Sequence, residues 1–256
     1  MITALRLLMT PLLIAAATLA GRRWGPRLSG WLIGFPLTSA PVSILLTLQY
    51  GSEFAIRAAV GNIAGLASIC AFSFAYSLVA PRRNWAVSAS VAALAFFAAT
   101  LIWNSAALGL IPTSVIVVVS IAVFLLIVPQ RSIGAATTAA PRWDLPARMI
   151  IATVFVFTLT TVAPRLGAQL SGLLTPFPIF GTVLSAFAHR QQGPAAAIQL
   201  LRGMALSLFG VAGFFLVVGS LLPTLGLIPT YLLATLVTFI SNGIALHLAQ
   251  RAAPEM

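Results

Sequence analysis

The sequence predicts an all-α, polytopic transmembrane helical bundle of about nine helices, set five plus four in two inverted-topology repeats. Three observations carry that expectation. The composition is one that only lipid can solvate, and nine apolar segments of spanning length alternate with short arginine-bearing connections. The chain also resembles itself at an offset of 142 residues.

Of 256 residues, 60% are hydrophobic and 7% charged, with a mean hydropathy of +1.07. A soluble domain carries about 25% charged residues to cover its surface. The 14 basic and 3 acidic side chains here are too few for that. The net charge of +11 would suit a nucleic acid, but the basic residues are all arginines scattered singly or in pairs. They form no basic face and have no aromatic interleaving, so no nucleic-acid partner is expected. The lone Cys70 excludes an intramolecular disulfide and a cysteine-based zinc site. It reads as a small packing residue.

A membrane helix needs about 20 mostly apolar residues. Such segments lie near 3–20, 28–48, 55–79, 86–105, 110–128, 148–163, 170–188, 197–221 and 227–248. The first resembles a secretory signal in its alanine-rich end, yet its strongest charges, Arg22 and Arg23, follow the apolar stretch instead of preceding it. It is therefore read as a membrane helix. Residues 1–128 form the first repeat, 129–147 a cytoplasmic linker rich in Ala, Thr and Pro, 148–251 the second repeat and 252–256 a tail.

Arginines set the orientation, because cytoplasmic connections retain positive charge. Arg22, Arg23 and Arg27 lie in the first connection, Arg82 and Arg83 in the third, Arg131, Arg142 and Arg148 around the fifth, and Arg190 in the seventh. The alternate connections are nearly bare. The expectation is a multi-pass protein of the cell inner membrane with a periplasmic N-terminus and a cytoplasmic C-terminus. Trp24, Trp85 and Trp143 on one side, with Tyr50 and Trp103 on the other, suit interfacial belts.

Residues 28–36 read LSGWLIGFP and residues 170–178 read LSGLLTPFP, identical at six of nine positions. Extended to Gly51 and Gly193, nine of 24 positions agree. Arg6 and Arg148, Gly61 and Gly203, and Phe72 and Phe214 keep the same register. Beyond Pro81 the offset shifts: the GLIPT at 109–113 recurs at 226–230, which leaves one extra helix, 86–105, in the first half. An odd helix count before the joint turns the second half upside down, an arrangement characteristic of secondary transporters.

Each repeat carries a Phe-Pro pair about eight residues into a helix, Phe35-Pro36 and Phe177-Pro178. Proline removes a helical hydrogen bond and clashes with the preceding turn, so both helices should break near mid-membrane. Thr38, Ser39, Thr175 and Thr182 are at hand to satisfy freed backbone groups. Matched interruptions in inverted halves point to a binding site; a packed structural kink is the plainer reading. Arg57 and Arg202 lie just inside their helices, as solute ligands or as side chains snorkelling to the interface. Gly30-x-x-x-Gly34, Gly61-x-x-x-Gly65 and Gly203-x-x-x-Ser207 read as close-packing stripes. Asn62, Asn104 and Asn242 read as interhelical hydrogen-bonding groups.

The acids are Glu53, Asp144 and Glu255, all in expected connections or the tail. No catalytic residue, metal ligand set or cofactor is expected from them, nor an enzyme. The lack of a membrane-buried carboxylate argues against antiport of cations and favours an anionic or amphipathic solute.

Residues 171–193, SGLLTPFPIFGTVLSAFAHRQQG, resemble the core of GlpM-like inner-membrane proteins, short four-helix proteins with a Phe-Pro run and a glycine fifteen residues later. Pro178 with Gly193, and Pro36 with Gly51, reproduce that interval over roughly 40 residues in each half. The chain departs in being a tandem fusion, in its extra helix, and in placing Ser43 and Ser185 where a histidine is expected. The resemblance implies envelope metabolism or transport, with a suggested link to exopolysaccharide production. The expected function is an alternating-access permease for an anionic or amphipathic solute or envelope precursor. The alternative is a non-transporting accessory subunit of exopolysaccharide or lipid biosynthesis. The expected partners are the lipid bilayer and that small solute, with a membrane-protein partner or a homo-oligomer left open.

Overall fold

A computed structural model describes residues 2–33, 35–36, 39–106, 108–129, 143–162 and 177–251. All regular structure among them is helical: α1 (Ile2–Trp24), α2 (Pro26–Ile33), α3 (Ser39–Tyr50), α4 (Ser52–Val79), α5 (Trp85–Ala106), α6 (Leu110–Ile127), α7 (Asp144–Val162), α8 (Ile179–Gln192), α9 (Pro194–Leu225) and α10 (Leu227–Arg251). Five of them, α4, α5, α6, α9 and α10, are long and apolar enough to cross a bilayer. Their outer faces are broadly apolar, with Leu126 83% and Leu94 70% exposed. In water such belts would aggregate; against lipid tails they need no cover.

The core is built around α9. Two-thirds of its apolar window (67%) is buried inside the protein, against 22% in α5 and 28% in α6 and α10. It packs on α2, α4, α6, α8 and α10. Because lipid removes the hydrophobic drive between helices, close approach must come from small residues. At the α2–α9 crossing, Gly30 lies against the backbone of Leu200 and Met204, and Gly203 against that of Arg27 and Trp31, with no room for a Cβ at either. Gly61, the counterpart of Gly203 at the 142 offset, is exposed and meets nothing among the described residues. The counterpart of α2 at that offset, 168–175, lies outside the described residues.

The segment expected as one span over 28–48 is two helices, α2 and α3, parted around Phe35-Pro36 as proline requires. Helix α7 begins at Asp144, inside the stretch expected as linker; most of that stretch, 130–142, lies outside the described residues. Of the asparagines, Asn242 joins two helices, its Oδ1 accepting the Gly210 N–H at 3.2 Å. Asn62 instead donates to Ala58 of its own helix, and the Asn104 side chain lies outside the description.

Side-chain contacts sort the connections into two ends. At one, Arg22 and Gln191 meet Asp144, and Arg202 meets the carbonyls closing α6. At the other, Ser43 and Thr47 of α3 meet Tyr231 of α10, and Leu110 packs on Gly219.

Candidate functional site

Pro36, between α2 and α3, and Pro178, just ahead of α8, are both buried; residues 163–176 before the second proline lie outside the described residues. The Pro36 carbonyl accepts the Ala40 N–H at 2.8 Å. The Pro178 carbonyl accepts both the N–H of Thr182 at 2.8 Å and its hydroxyl at 2.9 Å; the carbonyl that a proline leaves without a donor is four residues back, at 174, outside the described residues. Phe35 sits edge-on to Trp31 at 4.7 Å and tilted against Phe239 at 5.7 Å. Phe177 is stacked on Phe97 at 5.6 Å and edge-on to Phe96 and Phe72. The two phenylalanines thus have different neighbours, α10 for one and α4 with α5 for the other. Ser39 is half-buried at the start of α3. Thr38 and Thr175 lie outside the described residues.

After each Phe-Pro pair the chain forms a helix that ends on a glycine. Gly51 has φ 84° and ψ 173°, and Gly193 has φ 87° and ψ 176°. Both donate their N–H four residues back, to Thr47 at 2.9 Å and to His189 at 3.0 Å. That backbone region is essentially closed to side-chain-bearing residues. It explains why a glycine stands fifteen residues after each proline.

Ahead of these joints, each half seats a tyrosine hydroxyl. Ser43 and Thr47 bond Tyr231 at 2.7 and 2.8 Å. At the matching positions, His189 Nδ1 lies 3.2 Å from the Tyr76 hydroxyl, while Ser185 Oγ donates to the Thr182 carbonyl of its own helix at 3.2 Å. Each hydroxyl thereby gains the partner its burial requires.

Arg57 is exposed and 3.7 Å from exposed Glu53 on the same helix, away from the breaks. Arg202 is buried, and its Nη1 donates to the carbonyls of Leu125 at 2.8 Å and of Val128. These are among the carbonyls a helix C-terminus leaves without intrahelical partners, and a cation there also suits the helix dipole.

A polar cluster stands where none was expected. Asp144, placed in a connection by the sequence, has a side chain with no exposure. Its Oδ1 accepts from Arg148 Nε at 2.9 Å and from Gln191 Nε2, and its Oδ2 accepts from Arg22 Nη2 at 2.9 Å. Arg148 also donates to Gln191 Oε1 at 3.2 Å and covers the Phe187 ring at 4.8 Å. The cluster ties α1, α7 and α8 together at the arginine-rich end. A crevice of about 30 Å³ beside it, room for one or two waters, is lined by Thr18, Ser29, Arg22 and Gln192 among others. Asp144, expected in a polar connection, is thus buried within the protein at the start of α7. Two guanidinium groups neutralise it, so it is no free ligand for a cation. The sequence signal was the i,i+4 spacing of Asp144 and Arg148; nothing local announced Arg22 or Gln191.

A scan against protein-family models finds no match, and searches of curated proteins and of solved structures find none either.

Proposed function

We propose that the chain is a multi-pass permease of the bacterial inner membrane, moving an anionic or amphipathic solute by alternating access. Its two halves are inverted repeats, crossing the bilayer nine times in all. The observation that carries the reading is the matched pair of Phe-Pro sites. Each half has a Phe-Pro pair with its proline buried, followed, fifteen residues after the proline, by a glycine joint of the same conformation and the same hydrogen bond. A repeated local geometry at a repeated spacing is what two homologous halves would leave. Broken helices in inverted halves are where secondary transporters bind solute.

The sorting of contacts into two ends supports the topology. Connections one, five and seven meet at the arginine-rich end, which the positive-inside rule places in the cytoplasm. In this conformation the Asp144 cluster would close the cytoplasmic end and the tyrosine hydroxyl at Ser43 and Thr47 would brace the opposite one. Anionic selectivity follows from the buried polar content, which is richer in arginine than in free carboxylate.

Single cysteines at residues 35–39 and 177–182, probed with a small water-soluble maleimide from either side, test the mechanism. Labelling that shifts between sides when the protein turns over is the expected result. Absence of water access to both segments in every condition would remove it. Uptake of organic anions into liposomes by the purified protein alone separates a permease from an accessory subunit, which would need its partner.

A further inference from the structure

We infer that Arg27, Trp31 and Arg202 form a binding site for the phosphate group of an amphipathic anion, at the arginine-rich end of the α2–α9 crossing. The glycine contact fixes the place. Gly203 abuts the backbone at Arg27 and Trp31, which draws these two residues and the neighbouring Arg202 to one spot. The donors there are in excess. Arg27 Nε and Nη2, Trp31 Nε1 and Arg202 Nε are all buried and all lack a hydrogen-bond partner. A guanidinium and an indole N–H can only donate, so none can satisfy another. The two arginines also repel one another.

No acid among the described residues is free to answer them. Asp144 is taken by Arg22 and Arg148, and Glu53 lies beside Arg57. Arg202 keeps its Nε unused even while Nη1 caps α6, and a buried donor left without an acceptor is costly; four such donors call for a ligand that only accepts, with several oxygens. A phosphate meets both conditions, and guanidinium forks suit it in geometry. The pair is not a by-product of the repeat either. At the 142 offset Arg27 corresponds to Gln169 and Arg202 to Val60, so only one half is charged here.

The amphipathic part of the assignment comes from what lies next to the donors. Trp31 leads edge-on to Phe35, and Phe35 to Phe239. This aromatic run starts one turn from Arg27, passes Phe35 of the Phe-Pro pair and reaches Phe239 of α10, so an apolar tail would lie along it. The role of this site in transport rests on the permease reading; the binding does not.

The test uses the full-length protein in neutral detergent, with thermal unfolding followed against inorganic phosphate and against dihexanoyl phosphatidic acid. Arg27→Gln is the main variant, because Arg27 has no hydrogen bond to lose. Trp31→Phe removes only the indole N–H. Either probe should stabilise the wild type saturably, with apparent affinity about tenfold to a hundredfold weaker in Arg27→Gln and several-fold weaker in Trp31→Phe. Without probe, Arg27→Gln should unfold at a higher temperature than wild type, since the substitution removes an uncompensated charge. Stabilisation by phosphatidic acid alone makes the aromatic run part of the site; stabilisation by inorganic phosphate as well assigns the affinity to the head. Equal stabilisation of wild type and Arg27→Gln, or none of wild type by either probe, overturns the site. Intact, Arg27-dependent binding with no uptake into liposomes would leave the site standing and remove only the permease.

Discussion

Asp144 holds three helices at once, and its surroundings set how much each partner matters. Its side chain has no exposure, that of Arg148 is 7% exposed and that of Arg22 38%. Removing one member of a buried pair leaves the other charge stranded and costs about 3–5 kcal/mol, whereas a solvated pair contributes about 0–1 kcal/mol. Asp144→Ala should therefore be the most damaging change, since it strands Arg148 and frees Arg22 together. Arg148→Ala should come next and Arg22→Ala last, within about 1 kcal/mol of wild type. Chemical denaturation of the three variants in one detergent checks that order. A silent Asp144→Ala would mean that the cluster does not hold the end closed. Little of this was visible in the sequence. An acid between Trp143 and Pro146 reads as part of a polar loop, and the partners that bury it lie 122 and 47 residues away. Burial of a charge is a tertiary property, and no local pattern encodes it.

Helices and their breaks were far more legible, for physical reasons. A spanning helix must be apolar along nearly its whole length, so α4, α5, α6, α9 and α10 stand within a few residues of the expected segments. Proline acts within one turn, so the α2–α3 break falls where Phe35-Pro36 placed it. Which glycines pack could not be read, because a glycine stripe names one face and not its partner. The α2–α9 crossing makes the point testable. A side chain at Gly203 would run into the Arg27 carbonyl, which is backbone and cannot swing aside. Gly203→Leu should cost at least the ~1–3 kcal/mol typical of overpacking and lower the yield of folded protein. Gly61→Leu is the informative companion. Its described surroundings are open, yet an inverted repeat requires a helix against it, as α2 lies against Gly203. The repeat predicts that Gly61→Leu is also harmful. Wild-type stability in that variant would show that the second half lacks the crossing the first half makes.

At the scale of the molecule, the question is whether the two halves point in opposite directions, and charge and contact bear on it by separate routes. The arginines of the first, third, fifth and seventh connections predict that those connections share the cytoplasmic side. Contacts made without reference to any membrane bring Arg22, Asp144 and Gln191 to one point and Arg202 to the end of α6. These residues belong to, or flank, the first, fifth and seventh connections. The contacts between α3 and α10 at Tyr231, and between Leu110 and Gly219, gather residues flanking the second, fourth and eighth connections opposite; the sixth lies outside the described residues. If both routes are right, position 25 and its repeat counterpart, 167, must lie on different sides even though their sequences correspond. Alkaline phosphatase fusions, active only in the periplasm, decide the matter: activity is expected at residues 51 and 166 and not at residue 25. Activity at 25 with none at 166 would reverse the orientation while keeping the halves inverted. Equal activity at 25 and 166 would make the repeat a parallel one, and the rocking of opposed halves about the Phe-Pro breaks would then have no structural basis.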